Sequence, residues 1–117
     1  MRALAPPRAL ALASRLLAER GFREVARNER GDSLYLAQGD GPERLRLSNH
    51  ARTPKQRRVH PEVMASLVIR APRTEAQVAA MVEAALRDFA AGLARRAERM
   101  GPRAGRCLPE DDAQADA

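Results

Sequence analysis

The chain is poor in cysteine, in long apolar runs and in recognisable targeting signals. Its 117 residues include a single cysteine, Cys107, so neither a disulfide nor a cysteine-based metal site can form within one chain. No stretch approaches the roughly 18 consecutive apolar residues of a membrane-spanning helix. Pro6, Pro7 and Arg8 interrupt the N-terminal apolar residues, which therefore lack the apolar centre of a secretory signal peptide. These absences favour a cytoplasmic protein without a membrane partner.

Aromatic residues are also scarce. Phe22, Tyr35 and Phe89 make up 3% of the chain, and there is no tryptophan. The core must therefore be built from aliphatic side chains and from alanine, which buries little area. We expect a small core of modest stability, and few rings on which the bases of a single strand could stack.

Positive charge is what the chain has in excess, and the excess is concentrated in one segment. Of the 21 basic residues only Lys55 is a lysine, and the net charge is +6. Arginine combined with abundant alanine is typical of a GC-rich genome, so the positions of the arginines are more informative than their number. Residues 44–61 contain no acidic residue but include Arg44, Arg46, Arg52, Lys55, Arg57 and Arg58. Such a segment favours nucleic acid, an acidic protein or an anionic surface as a partner.

Hydrophobic periodicity predicts two helices and four strands. Apolar residues recur at helical spacing between Leu10 and Leu17. Residues 44–48 alternate strictly between polar and apolar, which is typical of a strand with one buried face. Thr74 and Gln77 form a capping box ahead of the best amphipathic pattern in the chain. The predicted elements are helices at about 7–20 and 75–99, and strands at about 22–28, 33–38, 44–48 and 64–70.

The order α-β-β-β-β-α predicts an α+β fold, with an antiparallel sheet of three or four strands and both helices on one face. Residues 1–101 would form this single domain, and residues 102–117 a disordered acidic tail. The opposite face of the sheet is expected to be open and to carry Tyr35, Arg44, Arg46 and Ser48. If the last strand lies at an edge, its unpaired backbone could bind a second copy and give a homodimer. A helical turn beginning at Pro61 is an alternative start for that strand.

The stretch from Leu16 to His50, LLAERGFREVARNERGDSLYLAQGDGPERLRLSNH, shares features with one bacterial family. Its Gly-Phe step after the helix, its Gly-Asp-Ser turn and its strand before His50 resemble the small HicA-type toxins of toxin–antitoxin pairs. The resemblance implies a fold like that of a double-stranded-RNA-binding domain and an RNA-linked ancestry. The family's ribonuclease activity depends on a histidine beside the Gly-Ser turn, where this chain has Asp32 and Ser33. The resemblance therefore supports the fold and argues against the activity.

Residues 48–61, SNHARTPKQRRVHP, hold both histidines of the chain and permit three interpretations. The segment can be a solvated connection whose arginines reflect composition alone. It can contact phosphates through a continuous positive patch of Arg44, Arg46, Arg52, Lys55, Arg57 and Arg58, with His50 beside it. It can also carry chemistry, as acid–base catalysis by His50 or as a metal site. A metal would need His50, His60 and a third ligand from Asp32, Asp40 or Glu62. Because no HxH or HxxxH spacing exists, we predict no metal. We also predict no cofactor and no catalytic residue.

The first hypothesis is thus a small nucleic-acid-binding module without catalysis, for which a duplex is a better ligand than a single strand. The alternative is a regulatory factor, antitoxin-like or nuclease-inhibiting, whose basic loop docks on an acidic protein. A second alternative is a divergent ribonuclease that uses His50.

Overall fold

The computed structural model describes residues 2–100, which form three helices and four strands in the order α-β-β-β-α-β-α. They are α1 (Pro6–Ala18), β1 (Arg23–Arg27), β2 (Ser33–Ala37), β3 (Arg44–Ser48), α2 (Pro54–Val59), β4 (Val63–Val68) and α3 (Glu75–Met100). Every predicted element is present with its type, and α2 is an additional helix. The α+β class is therefore confirmed. The predicted acidic tail at 102–117, with Cys107, lies outside the described residues.

The helix α1 begins with prolines and ends in a turn that positions an aromatic residue. Ala9, Ala13 and Leu17 are its buried residues, spaced four apart on one face. Gly21 follows with a positive φ of 89°, and the amide of Phe22 then donates to the carbonyl of Leu17 at 3.1 Å. This reversal directs the ring of Phe22 into the core, where it packs edge-on against another aromatic ring.

The strands form one sheet in the order β1-β2-β3-β4, with a mixed rather than a purely antiparallel arrangement. The pairs β1/β2 and β2/β3 are antiparallel, as predicted, whereas β3 and β4 are parallel. The prediction was therefore wrong for the last strand. Parallel neighbours require a connection of about a dozen residues or more, usually a helical one. Residues 49–62 provide it, because they contain α2 and return the chain to the end of the sheet at which β3 begins.

One face of the sheet carries the apolar core, and α1 and α3 both pack on it, as predicted. Leucine side chains from β2 and β3 lie under this pair of helices, and Phe89 of α3 meets Phe22 with ring centroids 5.1 Å apart. Gly92 lets α3 approach β4 closely. A Cβ atom at Gly92 would lie only 2.9 Å from the Cβ atom of Met64 and 3.2 Å from the Met64 carbonyl oxygen.

The edges of the sheet differ in character. All five residues of β1 are exposed, and three of them, Arg23, Glu24 and Arg27, are charged. The other edge is β4, whose residues include no charged side chain. An edge position is the condition under which we expected β4 to pair with a second copy, and that pairing stays a prediction. No helix within residues 2–100 has both the length and the apolar character needed to cross a membrane.

Candidate functional site

The segment between β3 and β4 is built around α2, which has a complete cap at its start. The hydroxyl of Thr53 accepts from the amide of Gln56 at 3.1 Å, and the Gln56 side chain accepts from the amide of Thr53 at 2.9 Å. Pro54 occupies the first turn, where its missing N–H costs no hydrogen bond. This segment was predicted to be a loop. The same signal, a capping box formed by Thr74 and Gln77, correctly predicts the start of α3.

The helix α2 was missed because it lacks an apolar face. None of its six residues is buried, and even Val59 is 58% exposed. Sequence reasoning relied on apolar periodicity to recognise helices, and this segment shows none. The capping box of Thr53 and Gln56 was the available signal that a helix starts here.

The exposed side of α2 is positively charged. Lys55, Arg57 and Arg58 are all solvent-exposed. Within residues 2–100, none of them has an acidic side chain at ion-pair distance, whereas Arg96, on the far part of α3, pairs with Glu43 at 3.5 Å. These cations are therefore available to an external anion.

Arg46 lies underneath this segment, and the prediction that it points outward into an open patch was wrong. It is 1% exposed. Arg46 pairs with Tyr35 across the sheet, so strand alternation assigned the correct face. That face is not open, however, because residues 49–62 return along the length of β3 and cover its middle. The rings of Tyr35 and His60 lie 6.3 Å apart, which marks where the returning segment meets the sheet.

The guanidinium of Arg46 meets only neutral acceptors in the described part of the chain. Its Nη2 donates to the carbonyl of His50 at 2.9 Å and lies 3.5 Å from the hydroxyl of Ser33, which is too long for a good hydrogen bond. Its Nη1 is buried and has no partner there. Fully buried arginines are normally paired, so this is an unusual environment for a positive charge.

Arg52 is the second guanidinium of this region and is half-buried. It donates to the carbonyl of His60 at 3.1 Å, a bond that closes the segment around α2. Burial lowers the pKa of Arg52, and the positive charges of Arg46 and Arg57 lower it further, while Tyr35 and Glu62 act in the opposite direction. Positive charges are thus crowded between the sheet and α2.

Arg44, also predicted to contact phosphates, makes its side-chain hydrogen bonds within the turn before β3. It is half-buried, and its guanidinium donates to the carbonyls of Gly41 and Glu43 at 2.9 and 3.0 Å. Its backbone amide donates to the carbonyl of Glu62 at 2.8 Å, which ties the end of the connection to the sheet. Arg44 therefore stabilises the turn before β3, and none of these hydrogen bonds joins it to a residue of α2.

A polar cluster lies at the other end of β3. Ser48, predicted to be exposed, is completely buried, and its hydroxyl lies 2.8 Å from that of Ser33 and 3.2 Å from Nδ1 of His50. The carboxylate of Asp32 lies 4.0 Å from the same Nδ1 atom. The pKa of Asp32 is lowered, mainly because the side-chain amide of Asn28 donates to its carboxylate; desolvation opposes this shift, and electrostatic interaction with His50 and Arg30 adds to it.

This cluster does not have the geometry of a nucleophilic triad. Such a triad needs the serine and the carboxylate on opposite nitrogens of the imidazole. Here Ser48 and Asp32 both approach Nδ1 of His50, and the Ser48 hydroxyl is inaccessible. Nδ1 also lies 2.9 Å from the side-chain oxygen of Asn49. The remaining nitrogen, Nε2, makes no hydrogen bond in the described part of the chain, and the His50 side chain is 38% exposed.

His60 lies at the opposite end of the connection from His50. Its Nδ1 atom is 3.2 Å from the carboxylate of Glu62, and its ring is next to Tyr35, which is half-buried rather than open to solvent as predicted. In the part of the chain that the structure describes, no group of three or more His, Cys, Asp or Glu side chains is arranged to hold a metal ion.

Comparison of the chain with protein-family models, with curated proteins and with solved structures gives no match. The resemblance to HicA-type toxins therefore stays a prediction, and the function has to be inferred from the site itself.

Proposed function

We propose that this protein binds nucleic acid through phosphate contacts made by α2. The observation that carries the proposal is the set of exposed cations Lys55, Arg57 and Arg58 on a capped helix, without an acidic side chain at ion-pair distance within residues 2–100. Cations that neutralise backbone phosphates release condensed counterions, which supplies most of the sequence-independent affinity.

The proposed contact surface is centred on Lys55, Arg57 and Arg58, which are exposed. Arg52 and His50 precede them in the same connection and are partly exposed, so they are further candidates for phosphate contact. Arg46 adds positive potential from below without reaching the surface. The charge is concentrated on one protruding helix rather than spread over an open sheet face.

A duplex is the ligand that suits this surface. Phe22 and Phe89 pack against each other in the core, and Tyr35 is half-buried beside His60. The described residues therefore offer no exposed aromatic platform on which the bases of a single strand could stack. Phosphate contact and shape recognition require no such platform.

The test is a salt titration of binding to a labelled RNA duplex and to a labelled DNA duplex. Wild type should bind at low salt and weaken steeply as salt rises, with a slope of about −0.9 per phosphate contact in a plot of log affinity against log salt concentration. Changing Arg57→Glu and Arg58→Glu together should abolish binding at physiological salt and flatten the slope by about two contacts.

The matched control is the pair Arg95→Glu and Arg99→Glu on the exposed end of α3, which alters the net charge by the same amount. It should leave most of the affinity intact, because it does not touch α2. Equal losses from both double variants would show that net charge alone, and no site, governs the binding. Absence of binding at low salt would contradict the proposal outright.

Ribonuclease activity is the second candidate, and the arrangement of His50 beside the Asp32 carboxylate is the observation that favours it. A partly exposed imidazole whose other nitrogen faces a carboxylate can act as a general base. RNA decay that His50→Ala abolishes would support this candidate. Retention of one acidic protein after nuclease treatment would instead favour the regulatory alternative.

A further inference from the structure

The position of Arg46 is hard to explain by the fold alone. A positive charge is held in the sheet, completely buried, and one nitrogen of its guanidinium, Nη1, has no hydrogen-bond partner in the described structure. Burying a charge is costly unless an opposite charge or a full set of hydrogen bonds compensates for it. One good hydrogen bond, to the carbonyl of His50, does not supply that compensation.

The acidic side chains of this face are already engaged elsewhere. Asp32 accepts from Asn28 and lies near His50, and Glu62 lies against His60. In residues 2–100 neither forms an ion pair with Arg46. The pKa of Arg52 is lowered, first by burial and then by the positive charges of Arg46 and Arg57.

Arg46 donates to the carbonyl of His50 and Arg52 to the carbonyl of His60, so both guanidinium groups lie against the connection, and neither has an acidic partner at ion-pair distance in the described chain. We propose that Arg46 and Arg52 form a binding site for a single phosphate group, enclosed between the sheet and residues 49–62. Nη1 of Arg46 and the free N–H groups of Arg52 would donate to the phosphate oxygens. Arginine suits this role because its planar fork matches the geometry of a phosphate and its charge is permanent.

The phosphate would enter by a small shift of the connection. None of the side chains of α2 is buried, and the connection is linked to the sheet by contacts such as the hydrogen bond from Arg46 to the carbonyl of His50 and the proximity of the Tyr35 and His60 rings. Few apolar contacts have to be broken, so the opening is inexpensive in free energy. The bound anion would then supply the opposite charge that Arg46 lacks.

A phosphate in the backbone of a duplex and a free phosphate ion present the same chemistry to this site. The first source rests on the function proposed above, and the second does not. A duplex bound by Lys55, Arg57 and Arg58 would bring its backbone to the mouth of the site, next to Arg52. The experiment therefore uses inorganic phosphate in one arm and an RNA duplex without terminal phosphates in the other.

The first arm is thermal unfolding of the whole chain in sodium phosphate, at low millimolar concentrations, against sodium chloride at equal ionic strength and pH. Wild type should show a saturable rise in Tm that is specific to phosphate, because only the folded state holds Arg46 and Arg52 at the connection. Arg46→Met should lose that rise, and so should Arg52→Met. Arg44→Met, on the same strand, should keep it. If Arg46→Met does not fold, Arg52→Met decides, since Arg52 is only half-buried.

The second arm measures duplex affinity. If a backbone phosphate occupies the site, Arg46→Met should lower the duplex affinity several-fold. If the site takes free phosphate instead, Arg46→Met should leave the duplex affinity unchanged while still losing the phosphate-specific rise in Tm. A phosphate-specific rise in Tm that persists in Arg57→Glu/Arg58→Glu, while duplex binding is never observed, would support the site and reject the nucleic-acid function. Equal responses of wild type, Arg46→Met and Arg52→Met to phosphate would overturn the site.

Discussion

The two faces of the sheet are buried by different means. On one face, leucines of β2 and β3 lie under α1 and α3, in a continuous apolar cluster. On the other, Ser33, Arg46 and Ser48 are just as completely buried, yet they lie under a polar connection whose helix contributes no buried side chain. Burial and stabilisation are therefore separate properties. The first face holds the fold together, whereas the second buries a positive charge that has no opposite charge beside it and that a bound anion would compensate.

The largest expected effect is on the apolar face. Phe89→Ala removes a ring that is 4% exposed and packed against Phe22, and should lower the free energy of unfolding by about 3–5 kcal/mol. Chemical denaturation would measure it. Val59→Ala, on the polar side, is the control and should cost about 0.5 kcal/mol or less, because Val59 is exposed. Similar losses from both variants would remove the difference between the faces.

The opposite sign is expected for the most buried residue of the polar face. Arg46→Met keeps an unbranched apolar stem but removes the guanidinium and its charge, so in phosphate-free buffer the variant should be as stable as wild type or more stable, by up to about 1–4 kcal/mol. Denaturant titration in chloride alone would measure it. A large loss would show that the charge of Arg46 is already compensated within the chain, and would weaken the phosphate site as well.

Close packing on the apolar face predicts a moderate effect at Gly92. A Cβ atom there meets Met64 at 2.9 Å, so Gly92→Ala should destabilise the protein by about 1–2 kcal/mol, even though alanine favours a helix by about 1 kcal/mol. Thermal and chemical unfolding would both report it. Ala91→Gly, at the exposed neighbouring position, calibrates the helix-propensity contribution. A stabilised Gly92→Ala variant would mean that α3 does not approach β4 so closely.

The smallest expected difference is between the two capping boxes. Thr74→Ala removes the cap of α3, which packs in the core, and should cost about 1 kcal/mol of global stability. Thr53→Ala removes the same cap from α2, but should cost about 0.5 kcal/mol or less because α2 can fray without exposing apolar residues. Its effect should be seen in duplex binding instead. A global loss equal to that of Thr74→Ala would show that α2 is integral to the fold.

Much of the fold could be predicted from local patterns. The strict alternation of Arg44 to Ser48 predicted β3 with its observed bounds, and the box of Thr74 and Gln77 predicted the start of α3. The direction of β4 could not be predicted in this way. Its residues fit an antiparallel or a parallel neighbour equally well, and the choice depends on the path of the connection.

The candidate site was predictable in its composition but not in its arrangement. The sequence placed Lys55, Arg57 and Arg58 in one charged segment, and the structure brings them together on α2. Tyr35, Arg46 and Ser48 were expected in the open because polar residues usually alternate outward in a half-buried strand. They are covered because the connection of residues 49–62 returns across this face, where His50 contacts Arg46 and His60 lies next to Tyr35.

The sequence by itself determined the elements, the apolar face and the local excess of positive charge. These depend on residues a few positions apart, whose periodicity and caps can be read along the chain. Only the tertiary structure decided that β4 runs parallel to β3, and that Arg46 is buried against the carbonyl of His50. Both follow from the route that residues 49–62 take across the sheet, which depends on contacts such as those of Arg46 with His50 and of Tyr35 with His60, and local periodicity does not encode such contacts.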